Sequence, residues 1–148
     1  MTEKYEEIQK KFKLPSIKEL EKEFGFEIKK RELSEIIKDI IDALSENSKL
    51  VESLLFVDSG SPPSFLYEAS MLREREIDIF SIYKDLMSTY WKGKRALLEG
   101  EKEKAEFISK SLAKWKKIKP ELIKIFELFE KEWPNVAFRQ SDEVAYHG

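Results

Sequence analysis

Apolar residues recur at alternating three- and four-residue steps through three stretches of the 148-residue chain. The first runs Leu33, Ile37, Ile40, Leu44, Val51 and Leu54. The second runs Ile79, Tyr83, Leu86, Tyr90 and Leu97, and the third Ile108, Leu112, Trp115, Leu122, Phe126, Phe129 and Trp133. This spacing lines one side of an α-helix and would scatter over both faces of a strand. It predicts an all-α fold, an up-and-down bundle of four to five amphipathic helices with short N-terminal helices before it and an irregular C-terminal tail behind it. Asn47, Gly93 and Lys119 stand where the pattern calls for an apolar residue.

The breaks in the pattern divide the chain. A single all-helical domain is expected over 1–148, with short helices in 1–29, a long helix in 30–57, a Ser/Pro loop in 58–64, a helical hairpin region in 65–133 and a tail in 134–148. Thr2 is placed to cap a first helix carrying Tyr5, Ile8 and Phe12. Ser16-Ile17-Lys18-Glu19 is a capping box, and Gly25 suits the position after the helix it opens. Val51 and Leu54 resume the phase of Leu33–Leu44, so one helix should pass unbroken through Ser45-Glu46-Asn47-Ser48. Asp58-Ser59-Gly60-Ser61-Pro62-Pro63 is a loop. A helix from about Pro62 to Leu98 should follow, bent near Met71 to Glu74.

Gly100 marks a corner, because the register slips there. Extending the Ile79–Leu97 phase would put Gly100, Lys104, Phe107 and Ser111 on the seam, whereas the apolar stripe resumes at Ile108, Leu112 and Trp115. A hairpin at Gly100 sets residue 93 opposite about 107, and 116 opposite about 84. Across Pro120 the stripe keeps its phase, which predicts either a kinked helix or a short stop.

Composition narrows the chemistry. Hydrophobic residues make up 41% and charged residues 38%, Asn and Gln total four, and Cys is absent. Lys- and Glu-rich, amide-poor composition resembles that of hyperthermophile proteins. Without Cys there are no disulfides, thiolate nucleophiles or Cys-ligated metals. No apolar run is long enough to span a membrane, and the first residues lack a signal-peptide pattern, so a cytoplasmic address without membrane association is expected.

His147 is the one histidine, close to the end of the tail. Helix-borne Glu-x-x-His di-iron sites and His-ligated zinc therefore have no ligands in the bundle, and a Ser-His-Asp triad would have to use the tail. Glu68, Glu74, Glu76 and Asp78 form the densest acidic set. Glu74 and Asp78, four apart, would present two carboxylates to Mg²⁺, but beside Arg73 and Arg75 they equally make a solvated, ion-paired face. The five glycines are too dispersed for a phosphate loop. No catalytic residue, metal or cofactor is nominated, and the chain is read as a non-enzyme.

Ser16-Ile17-Lys18-Glu19-Leu20-Glu21-Lys22-Glu23-Phe24-Gly25-Phe26 resembles the first helix and turn of a DNA-binding helix-turn-helix motif. The resemblance covers about twenty residues and implies a recognition helix after Gly25. It departs from the pattern at Glu21 and Arg31, which place charge where the two helices should pack.

Charge is uneven along the chain. Residues 84–119 carry 11 basic and 5 acidic groups, and from Phe107 to Lys119 there are five lysines and no acid. Lys92, Lys94, Arg95, Lys110, Lys114, Lys116 and Lys117 are therefore nucleic-acid candidates, with Lys84 and Lys110 bridging them into one strip and Trp91 available to stack a base. The helix around 77–98 is apolar around much of its circumference, which makes Phe80, Tyr90 and Trp91 interface candidates. Asn47 joins them as a polar residue on a heptad seam that can fix register. The expected function is a non-catalytic helical protein–protein interaction or scaffold protein, a small subunit of an assembly or a homodimer. The alternative is a nucleic-acid-associated accessory protein using the basic-aromatic face of 84–119.

Overall fold

The computed structural model describes residues 2–29 and 32–137. The elements are α1 (Thr2–Phe12), α2 (Ile17–Phe24), α3 (Leu33–Leu55), α4 (Pro63–Glu74), α5 (Ile79–Ala96) and α6 (Glu101–Glu132), closed by a 3₁₀ turn at Trp133–Asn135. The fold is all-α, and no strand occurs among the described residues. Arg31, His147 and the side chain of Thr2 lie outside what is described.

Local chemistry sets the boundaries. Ser16 Oγ accepts the Glu19 N–H at 3.1 Å, and Gly25, at φ 78°, closes α2 by donating to the Glu21 carbonyl. α3 is one helix, as its phase predicts. Asn47 and Ser48 do not break it, because each side chain donates to a carbonyl of its own helix, Ala43 and Ser45 respectively. α6 runs through Pro120. Proline has no N–H to offer, so the helix continues with one intrahelical bond fewer.

The expected helix from Pro62 to Leu98 is two helices, so the 65–133 region holds most of α4 ahead of the α5–α6 hairpin. α4 ends in a Schellman motif: Glu76 N–H donates to the Arg73 carbonyl, Ile77 N–H to the Leu72 carbonyl, and Glu76 takes the left-handed conformation at φ 54°. Asp78 then opens α5 by accepting the Ser81 N–H at 3.1 Å.

α3, α5 and α6 pack pairwise into the central core, α1 and α2 rest on α6, and α4 bridges α3 and α6. Ile36, Ile37, Ile40, Leu44, Leu86 and Ile108 are almost completely buried. Each contributes roughly 1.5–3 kcal/mol of transfer free energy. The α5–α6 hairpin has the expected register: a methyl group on Gly93 would meet Phe107.

Two seams differ from the expected ones. On α5 the core-facing residues are Ile79, Ile82, Leu86, Thr89, Gly93 and Ala96, with Tyr83, Tyr90 and Leu97 on the shoulder. The helix is rotated because its small residues, Thr89, Gly93 and Ala96, permit close approach to Ile41 and Phe107. On α6, Ile118, Leu122 and Ile125 carry the core past Pro120, leaving Phe126 42% exposed instead of on the stripe.

The helix-turn-helix expectation does not hold. Residues 25–32 separate α2 from α3, too long for the three- to four-residue turn of that motif. The would-be recognition helix, α3, packs against α4, α5 and α6 with nine of its 23 residues buried. Glu21, one of the departures, has a structural use: its carboxylate accepts the Ile28 N–H at 2.8 Å and fastens the link. Among the described residues, no helix is long and apolar enough to cross a membrane.

Candidate functional site

The surface of α5 that faces away from the core carries a second seam. Phe80, Lys84, Met87, Trp91, Lys94 and Leu98 follow one another at steps of four and three, the spacing of a coiled-coil stripe. Phe80 is 48% exposed, Trp91 59% and Leu98 89%. From Phe80 to Lys94 the stripe covers about 21 Å at the helical rise, and Leu98 continues it in the turn just past the end of α5.

Aromatic contacts support it from the shoulder. Tyr83 meets both Phe80 and Phe56, with ring centroids 6.3 and 6.0 Å apart. Tyr90 packs edge-on against Trp91 at 5.1 Å. Lys84 Nζ lies 5.4 Å from the Phe80 ring centre and Lys94 Nζ 5.9 Å from that of Tyr90. Both cations are thereby held at the apolar stripe.

Of the four interface candidates, Phe80 and Trp91 are on this surface and Tyr90 buttresses it. Asn47 does not belong to it. Its amide turns back on the Ala43 carbonyl of its own helix at 2.8 Å. Leu98 and Phe56 were not nominated, although the 80–84–87–91–94–98 heptad was legible; the lysines at two of its positions disguised it.

The seven basic candidates do not form one strip. Lys92 of α5 and Lys110, Lys114 and Lys117 of α6 line a cleft of about 260 Å³, together with the buried Thr89, Phe107 and Ser111 and the exposed Ala113. Lys114 also reaches Asp85 at 3.6 Å, and Lys110 pairs with Glu106, whose carboxyl is held below its ordinary range by that hydrogen bond and charge. The other three are engaged elsewhere. Arg95 pairs with Glu99 at 3.0 Å, Lys94 is at Tyr90, and Lys116 reaches α2, where its hydrogen bond to Glu19 raises its pKa. Lys84, expected to bridge the segments, sits on Phe80 instead.

Trp115 and Lys119 also hold α2. Trp115 Nε1 and Lys119 Nζ both donate to the Glu23 carbonyl, at 2.7 and 3.0 Å, and the Trp115 ring stacks on Phe24. Lys116 and Lys119 thus fasten one helix to another, which explains why cations recur so close to a buried tryptophan.

The acidic set is dispersed by its structural tasks. Glu68 accepts the Trp133 indole N–H at 2.9 Å, Asp78 caps α5, and Glu74 lines a cavity of about 340 Å³ with Glu132, which is itself paired with Arg75. Among the described residues, no three His, Cys, Asp or Glu side chains come together as a metal site.

No protein-family model matches the chain, and neither a curated protein nor a solved structure matches it.

Proposed function

We propose that the chain is a non-catalytic helical interaction or scaffold protein whose α5 seam receives an amphipathic, acid-flanked helix of another protein. The observation that carries this reading is the heptad stripe of Phe80, Met87, Trp91 and Leu98 with its three large side chains 48–89% exposed. Apolar anchors at helical spacing suit a partner helix laid alongside, and Trp is the residue type most enriched among binding hot spots.

Charge selects between partners. α5 holds Lys84, Lys92, Lys94 and Arg95 and one acid, Asp85, which is turned to Lys114 on the α6 side. In a two-fold homodimer this seam would meet itself, bringing like charges together. An acidic partner gains both attraction and a faster encounter. The reading therefore favours a hetero-assembly over self-association. A cytoplasmic address and a heat-adapted origin remain part of it, resting on the sequence alone.

The test is affinity capture from the source organism with wild-type protein and with a Trp91→Ser/Leu98→Ser variant. A protein retained only by the wild type, and cross-linked from Lys84 or Lys94 to carboxylates on one of its helices, supports the reading. Equal retention by both proteins, or a stable homodimer through this seam in light scattering, overturns it.

A further inference from the structure

We infer that the cleft between α5 and α6 is a binding site for a phosphate-rich polyanion. Lys110, Lys114 and Lys117 follow at four- and three-residue steps, so their stems leave the same face of α6 over about 10 Å of helix. Lys92 enters from the facing helix, and the four ammonium-bearing side chains line one cavity of about 260 Å³. No carboxylate is among its lining residues.

Packing does not call for this convergence. Like charges four apart on a helix are mildly destabilising. Elsewhere the chain sets lysines against acids: Lys38 with Glu35, Lys116 with Glu19, Lys119 with Glu23, Lys124 with Glu121. Over Phe107–Lys119 it supplies five lysines and no acid. The two pairs that do touch the cleft, Lys110–Glu106 and Lys114–Asp85, involve substantially exposed groups. Such pairs are worth about 0–1 kcal/mol and exchange readily for a multivalent anion.

The lining narrows the ligand class. Thr89 and Ser111 already donate their hydroxyl protons to the Asp85 and Ile108 carbonyls, so recognition falls to the ammonium groups. Lysine binds phosphate as a point charge without directional selectivity. A row of point charges about 10 Å long suits several linked phosphates better than one. The shared chemistry is a chain of phosphate oxygens, from a linear polyphosphate or from a single-stranded nucleic-acid backbone. Trp91, the sequence neighbour of Lys92, is outside the cleft lining and 59% exposed, so a strand that continues past the cleft around α5 would have a ring to stack on.

Calorimetric titration of the full chain with tripolyphosphate and with a single-stranded oligothymidylate tests the inference. Lys110→Gln/Lys114→Gln/Lys117→Gln keeps the stems and removes three charges. Lys10→Gln/Lys18→Gln/Lys49→Gln removes three exposed charges elsewhere. Saturable binding should weaken at least tenfold in the cleft variant and less than twofold in the control. With three phosphates engaged on a single strand, affinity should fall roughly 20-fold between about 50 and 200 mM salt. In the wild type, the bound probe should protect Lys92, Lys110, Lys114 and Lys117 from acetylation, a readout independent of any variant. Binding of tripolyphosphate alone identifies a free polyanion. Oligonucleotide binding with quenched tryptophan emission, lost in Trp91→Ala, identifies a strand. Absence of saturable binding to either probe, equal weakening in both triple variants, or no selective protection of the four lysines overturns the inference.

Discussion

Gly93 lies so close to Phe107 that a methyl group added to it would fall 2.7 Å from the ring's Cζ, and 2.8 Å from Ile41 Cγ1. Glycine inside a helix is about 1 kcal/mol less favourable than alanine, so its presence in α5 is explained by the approach of three helices. Gly93→Ala should lower stability by about 1–3 kcal/mol, overpacking outweighing the propensity gain. Urea unfolding should show a lower midpoint at unchanged slope. Adding Phe107→Leu should recover part of the loss; a fully additive double variant would mean that the ring is not what Gly93 accommodates.

Much of the architecture was legible because packing and sequence periodicity agree. Leu33–Leu54 named α3, and the register slip located the corner at Gly100 together with the opposition of residues 93 and 107. The rotation of α5 was not legible. A pattern of large apolar residues favours Tyr83 and Tyr90 for the core, but close helix approach selects the small residues Thr89, Gly93 and Ala96. The candidate surface was half legible: Phe80 and Trp91 were visible as surplus apolar residues, whereas the separation of Lys116 from Lys114 depends on where α2 docks.

The helix stop at Lys13 is marked by the Pro15-Ser16 pair that follows it, whereas the stop at Glu76 was missed for a related reason. Both residues are left-handed, φ 56° and 54°, at positions that glycine usually fills. That conformation costs an L-residue roughly 1–2 kcal/mol. Glu76→Gly should therefore stabilise the fold by about 0.5–1 kcal/mol after its greater unfolded-state entropy is counted. Glu74→Gly, at the last residue of α4, should destabilise by up to about 1 kcal/mol. Matching thermal unfolding curves would distinguish the two, and a loss at both positions would contradict the strained corner.

Tyr5 supplies a pH dependence. It is fully buried, donates to the Pro15 carbonyl at 2.6 Å, and its pKa is pushed up to about 12 by burial and then by the Glu19 charge. The folded state thus holds the phenol proton more tightly than the unfolded chain, whose pKa is about 10. Its contribution is complete below pH 10 and is lost as pH rises towards 12. An elevation of about two units corresponds to about 3 kcal/mol over that window. Tyr5→Phe should be less stable at neutral pH by roughly 1 kcal/mol, through the unsatisfied Pro15 carbonyl, yet lose less stability between pH 10 and 12. Absorbance of ionising tyrosine, followed alongside helical signal, checks this: one tyrosine should ionise only with unfolding.

The two tryptophans of the α5–α6 hairpin should separate stability from surface function. Trp115 is buried, stacked on Phe24 and bonded to the Glu23 carbonyl, so Trp115→Ala removes a large apolar side chain and frees α2. A loss of about 3–5 kcal/mol is expected. Trp91 is 59% exposed and meets Tyr90 from outside. Trp91→Ser should change folding stability by less than about 0.5 kcal/mol, as surface substitutions do. Loss of the stripe's central anchor should meanwhile abolish capture of the partner helix. Urea denaturation of both variants is the measurement. A Trp91→Ser penalty approaching that of Trp115→Ala would make the seam part of the protein's own core and remove the reason for assigning it a partner.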